Sequence, residues 1–183
     1  MKTITHIILC ISIISFTPAN AQIIDGIPSI DGKVNFNETV TVNGASQNDL
    51  FLKSKEFFVN TYQSPKDVVQ MEFDEAAVII GKAYIDINLI VLTVVVETKM
   101  WYSIKIQSKE GRYRYEIYDI NYEGEYANST AEEWFDVSSY YKKNGKERNV
   151  NAQYKEKTTN ANMLIDQVKT SMGSNTLKTT DDW

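Results

Sequence analysis

From Met100 onward apolar and polar residues alternate: Met100, Tyr102, Ile104 and Ile106 are separated by Trp101, Ser103, Lys105 and Gln107. A period of two is the signature of a half-buried β-strand. Glu110-Gly111 follows as a two-residue turn, since glycine takes positive φ without steric cost. Tyr113, Tyr115 and Ile117 then resume the pattern. The resulting hairpin, Lys99 to Tyr122, has one favoured register. Ile106 faces Tyr115 and Ile104 faces Ile117 on one side, while Lys105 faces Glu116 and Gln107 faces Arg114 on the other. Apolar residues meet apolar ones and a cation meets an anion, as cross-strand pairing favours. A slip of one residue would set Ile106 against Arg114. Beyond Ile117 the apolar phase moves to Tyr118, Ile120 and Tyr122, which requires either a bulge near Ile117 or cover on both faces.

The same reading organises the rest of the chain. Residues 22–33 carry two Asp-Gly pairs and Pro28, and are expected to form a loop or mobile lead-in. Val34, Phe36, Val40 and Val42 alternate with polar residues as a strand, with Glu38 the exception on the apolar side. Ser46, with Asp49 three residues on, starts a helix in the manner of a capping box. Its apolar stripe is Leu50, Phe51, Phe57, Phe58 and Tyr62, with Lys53, Glu56 and Asn60 off it, and Ser64-Pro65 ends it. Short strands are expected over Val68–Phe73 and Ala77–Ile87, the latter with Gly81 marking a bulge or a close backbone approach. Leu89–Val96 is almost wholly apolar and reads as a separate buried strand. Residues 124–160 read as an irregular, solvated connection with aromatic residues at Trp134, Phe135, Tyr140 and Tyr141. Residues 161–173 read as a second helix packed through Ala161, Leu164, Ile165, Val168 and Met172, and residues 174–183 as a disordered tail.

Composition narrows the chemistry once the N-terminus is understood. Met1-Lys2, the apolar run Ile7–Phe16 and the small-x-small site Ala19-Asn20-Ala21 form a secretory signal peptide, residues 1–21, so the mature chain is expected to begin at Gln22. The ten-residue apolar run is too short for a spanning helix, which needs roughly 20 residues. No transmembrane segment is expected in the mature chain. His6 and Cys10 are the chain's only histidine and cysteine, and both leave with the signal. Disulfides, cysteine nucleophiles, histidine bases and His- or Cys-ligated metals leave with them. The formal charge of −5 becomes −6 with the loss of Lys2. An acidic exported protein is a poor match for nucleic acid.

Ser46-Gln-Asn-Asp-Leu-Phe51, Phe57-Phe-Val-Asn-Thr-Tyr62, Ser64-Pro-Lys-Asp-Val-Val-Gln70, Ile79-Ile-Gly-Lys82 and Lys109-Glu-Gly-Arg-Tyr-Arg114 occur in this order. On these segments the chain resembles the Bacteroidota secreted family called domain of unknown function 4468, over residues 34–123. The resemblance implies an α+β fold like that of the TATA-binding protein: an antiparallel sheet of about five to six strands with two helices packed on it. Ala77-Val78 stands where the family often has Gly-Lys, and Ala83 where it usually has glycine. The resemblance carries over no catalytic residue, and the fold alone does not imply DNA binding.

No motif in the chain specifies a reaction. Asp119, Asn121 and Glu123 resemble the start of a calcium loop, but position twelve, which needs a glutamate, is Thr130. Ile79-Ile80-Gly81-Lys82 lacks the other residues of a phosphate loop. Asn37-Glu-Thr39 and Asn128-Ser-Thr130 match the glycosylation sequon, a tripeptide common by chance. Glu72, Asp74 and Glu75 crowd a turn, where acidic residues are ordinarily solvated. No catalytic residue, cofactor or metal is assigned. The expectation is an exported cell-envelope protein, periplasmic or extracellular, acting as a non-catalytic binding or structural module for a protein or small-molecule partner. The alternative is a hydrolase working with carboxylates only. The candidate binding residues are Trp101, Tyr118 and Ile120, expected together on the sheet face opposite Ile104 and Ile106. A competing expectation is that Trp134, Phe135, Tyr140 and Tyr141 fold back over that face as a second core.

Overall fold

The structure, a computed structural model, describes residues 22–91, 94–125, 128–148 and 151–173. Two short strands, β1 (Ser29–Ile30) and β2 (Lys33–Val34), form a small hairpin. Then come β3 (Phe36–Thr41), α1 (Gln47–Thr61), a single turn of helix α2 (Pro65–Val68), β4 (Val69–Phe73), β5 (Val78–Val91), β6 (Val94–Lys109) and β7 (Arg112–Gly124). The chain ends with β8 (Asn128–Thr130), α3 (Ala131–Phe135), α4 (Val137–Tyr140) and α5 (Asn151–Gly173). The main sheet has six antiparallel strands in the order β3-β7-β6-β5-β4, with β8 beside β7.

The β6–β7 hairpin takes the register that its side chains demand: Ile106 opposite Tyr115, Lys105 opposite Glu116, Ile104 opposite Ile117. Met100, Tyr102, Ile104, Ile106, Tyr113, Tyr115 and Ile117 are all buried on one face, the inner one. Ser46 and Asp49 cap α1 reciprocally, each backbone N–H bonding the other's side chain, and Leu50, Phe51, Phe57 and Phe58 bury the helix against that face. Lys53 is buried too, although it lies off the apolar stripe. Glu38 is explained by its partners. Lys169 of α5 reaches it at 2.6 Å and the Tyr115 hydroxyl donates to it at 3.0 Å, and these contacts hold its carboxyl below the usual carboxylate range.

The hairpin's phase switch is a bulge. Ser103 pairs with Tyr118 but Trp101 pairs with Asn121, so β7 carries one extra residue, and Asp119 stands there at φ +51°. Gly81 is a site of close approach: a Cβ there would lie 2.4 Å from Cε1 of Phe58. Opposite it, β4 shifts register between Val69 and Met71. Ala77 adopts φ +49° in the turn before β5, so the alanine where the family often has glycine occupies backbone that glycine would hold without strain.

Several expectations are corrected. Leu89–Val96 is no separate strand but the two arms of the β5–β6 hairpin end, with Leu89 opposite Val96 and Val91 opposite Val94. A run of apolar, mostly β-branched residues concealed that reversal, and Val95 is exposed. The stretch 124–160 is not irregular throughout. Thr130 and Glu133 form a second capping box at the start of α3, and α5 begins at Asn151, ten residues before the apolar stripe at Ala161. Polar residues hid that first part of the helix. Lys157 lies buried within it, with its ammonium over the rings of Trp134 and Tyr122 and its stem available for packing. The lead-in at 22–33 is pinned: Ile24 N–H donates to Phe135 at 2.8 Å and Val137 N–H to Gln22 at 2.8 Å. Residues 1–21 and 174–183, read as signal peptide and tail, lie outside the described residues.

The core is rich in tyrosine, and this sets its response to alkali. Burial, first among the causes, raises the phenols of Tyr62, Tyr102, Tyr115 and Tyr122, and it pushes Tyr113 up to about 12 with help from Glu38. In the unfolded chain these phenols ionise near pH 10. A phenol whose pKa is raised by folding contributes stability fully present below about pH 10 and lost as pH rises through the folded value. Tyrosinate absorbance of the core tyrosines is therefore expected to appear together with loss of near-UV circular dichroism. Ionisation of all eleven tyrosines near pH 10 with the dichroism intact would contradict this packing.

Candidate functional site

Both long helices lie on the inner face. The outer face carries exposed Lys82, Tyr84, Asp86, Arg112 and Arg114. Strand register sets Tyr84 of β5 opposite Trp101 of β6, and their rings lie 4.8 Å apart between centroids at an interplanar angle of 49°. Lys99 Nζ sits 4.7 Å from the Tyr84 ring, and Trp101 Nε1 donates to Glu123 Oε2 at 2.6 Å. The tryptophan is thus fixed along one edge while Tyr84 remains 43% exposed, enough to present an aromatic surface to solvent.

Beside this pair runs a groove of about 590 Å³. It exists because β4 pairs with β5 only from Val78 to Gly81, and beyond that point no strand among the described residues pairs with this edge of β5, whose other edge is held by β6. The opposite wall comes from the end of α1 and the loop after it. Pro65 at the first position of α2 turns the chain there, placing Tyr62, Gln63 and Asp67 across from Lys82, Tyr84 and Asp86. The Tyr62 and Tyr102 hydroxyls share a hydrogen bond of 3.0 Å at its inner side, so that part of the wall is rigidly held. Aromatic rings bordered by a few polar groups are the usual composition of a ligand groove.

Of the three residues singled out from the sequence, Trp101 lies in this groove. Tyr118 is on the same outer face opposite Ser103, half-buried, its phenol raised by burial and then by Asp119 and Glu116. Ile120 is a correction. The bulge at Asp119 rotates it onto the inner face, where it is buried in the core. The second-core expectation is corrected in the same way. Phe135 joins the main core, and Trp134 lies under Lys157 next to Tyr122, so the aromatic segment folds back onto the inner face and leaves Trp101 uncovered by it. Tyr84 was missed. Its place in phase with Lys82 and Asp86, alternating with Ala83 and Ile85, was visible, but the register that sets it beside Trp101 depends on a strand pairing the sequence left open.

The other sequence candidates fall elsewhere. Lys55 of α1 binds both Glu72 at 2.5 Å and Asp74 at 3.2 Å, with the Glu72 contact raising the lysine most, so two of the three crowded carboxylates share one ammonium at the surface. Asp119, Asn121 and Glu123 belong to β7, and Thr130 caps α3. Among the described residues there is no cluster of three metal-ligating side chains.

An antiparallel sheet covered by helices on one face and open on the other, with an aromatic-lined groove at its edge, defines an α+β protein with a TBP-like fold. The family model described as "Domain of unknown function (DUF4468) with TBP-like fold" matches residues 36–123, and that segment of the chain is a domain of this family. The fold is also that of a DUF4468 family protein from Bacteroides ovatus, with a TM-score of 0.70 at 20% identity over 83% of this chain and 93% of that one. A TBP-like protein from Parabacteroides distasonis has a TM-score of 0.61 at 17% identity, over 81% of this chain and 97% of that one. No curated protein matches the chain.

Proposed function

We propose that the chain is an exported cell-envelope protein that acts as a non-catalytic binding module, taking a protein segment or small molecule in the groove beside Trp101 and Tyr84. The observation that carries this reading is the tilted Trp101–Tyr84 ring pair on the open face, alongside a groove of about 590 Å³. Aromatic side chains left at the surface beside a groove are the usual anchors of recognition. Export rests on the composition of residues 1–21, and among the described residues no helix is long and apolar enough to cross a membrane. A carboxylate-only hydrolase acting on an envelope or extracellular substrate is the second reading, favoured by one fact: Asp67 and Asp86 line the same groove.

Trp101→Ala separates a binding surface from a merely packed one. A pull-down from envelope extract with the mature protein as bait is expected to lose partners on this substitution, while the denaturant midpoint stays near that of the parent. A variant that melts at clearly lower denaturant and recovers every partner would retire the proposal. Turnover of an envelope polymer that disappears in Asp86→Asn would favour the hydrolase.

A further inference from the structure

Far from the groove, about 25 Å along β6, the outer face has a different character. Arg114 lies between Thr39 and Gln107, and Arg112 between Thr41 and Lys109. Lys109 and Arg112 are therefore like charges directly opposite one another, an arrangement that costs stability in a sheet. The carboxylate of the turn itself, Glu110, is committed elsewhere: it accepts from the Gln47 N–H at the start of α1, at 3.1 Å. Glu116, one row away, is shared between Lys105 and Arg114 Nε, each at 3.4 Å. Thr39, Gln107, Lys109, Arg112 and Arg114, with Tyr113, enclose a concavity of about 200 Å³ that no carboxylate lines. The side chains of Thr39, Gln107, Lys109, Arg112 and Arg114 can all donate hydrogen bonds, while the Tyr113 ring is buried on the inner face. This positive hollow stands on a chain whose formal net charge is −5.

A local pairing rule broken with no compensating partner among the described residues points to a ligand that supplies the compensation. We infer that this concavity binds a phosphate or sulfate group. Arg112 and Arg114 offer planar guanidinium forks suited to a tetrahedral oxyanion, Lys109 adds a point charge, and Thr39 and Gln107 add neutral donors. The concentration of positive charge draws an anion to one place on an otherwise acidic surface. This site does not depend on the groove beside Trp101.

The test is a titration of the mature protein with inorganic phosphate and with sulfate, followed by backbone amide NMR against sodium chloride at matched ionic strength. Saturable shifts confined to the amides around Thr39, Gln107 and Arg112–Arg114 are expected, at least about tenfold weaker in Arg112→Gln. Lys109→Glu provides a second readout. Without phosphate it should melt higher than the parent, because a like-charge pair becomes an opposite one, and it should lose the phosphate-dependent shifts. A sugar phosphate and vesicles of phosphatidylglycerol, against phosphatidylcholine, distinguish a soluble ester from a lipid headgroup as the source. Uptake onto the anionic vesicles that Arg112→Gln abolishes assigns the headgroup, and saturation by the sugar phosphate alone assigns the soluble ester. Shifts that follow ionic strength alone, or that persist unchanged in both variants, would overturn the inference.

Discussion

Ile117→Ala is expected to destabilise the protein by about 2–5 kcal/mol, and Ile104→Ala by a similar amount, as truncation of buried isoleucines does. Both residues have essentially no exposure, and they face each other across the central strand pair, with Phe36 of β3 on the far side of Ile117. Alanine there removes apolar atoms and leaves a cavity that rigid strands on both sides cannot close. One residue away on the outer face, Lys105→Ala and Glu116→Ala are expected to cost only about 0–1 kcal/mol each. That pair is separated by 3.4 Å and remains partly exposed. Urea melts of the four variants measure this difference, and a larger loss at Lys105 or Glu116 than at Ile104 or Ile117 would mean that the faces are inverted.

The centre of the fold was legible because two constraints coincided there. Alternation fixed which residues of β6 and β7 face inward, and the pairing of Lys105 with Glu116 fixed how the strands align. The capping box at Ser46 made α1 legible for the same reason, since both partners of the interaction sit within four residues. Legibility failed where the deciding partner was distant. Nothing local requires Leu89 and Val96 to be opposite arms of one hairpin, because a run of apolar β-branched residues suits a single buried strand equally well. The first ten residues of α5 have no apolar stripe, and Lys157 is buried there only because Trp134 and Tyr122 come to meet it.

The candidate site shows the same division. Trp101 could be placed on the outer face from the period alone. Ile120 could not, because one extra residue at Asp119 reverses every side chain beyond it, and a shift in apolar phase fits a bulge as well as it fits cover on both faces. The groove itself was not visible at all. It depends on β4 being shorter than β5 and on the loop after α1 standing beside the strand edge that β4 leaves free, both of them tertiary facts.

Gly81 joins the two levels, and substitution there gives the other large effect expected. The sequence allowed a bulge or a close approach, and the structure has the approach on β5 and the register shift on β4 opposite. In Gly81→Ala a Cβ would lie 2.4 Å from Phe58 Cε1, 3.1 Å from Cζ and 3.2 Å from Cγ1 of Val68. Replacing glycine in a strand ordinarily stabilises by about 0.4–1 kcal/mol through the unfolded chain. Overpacking a tight core costs about 1–3 kcal/mol, and here the cost dominates. Phe58 is buried, and its ring packs edge-on against Phe57 at 5.3 Å and near Tyr62 at 5.7 Å, so it cannot swing aside without disturbing the wall of the groove. Gly81→Ala is therefore expected to be destabilising by about 1–3 kcal/mol, and Gly81→Val more so. Phe58→Leu should relieve part of the clash, so the double variant Gly81→Ala/Phe58→Leu is expected to be more stable than the sum of the single losses. A coupling of about 0.5 kcal/mol or more in a double-mutant cycle would express that contact. Strict additivity, or a Gly81→Ala variant as stable as the parent, would mean that the α1 aromatic residues are not packed onto β5 in this way.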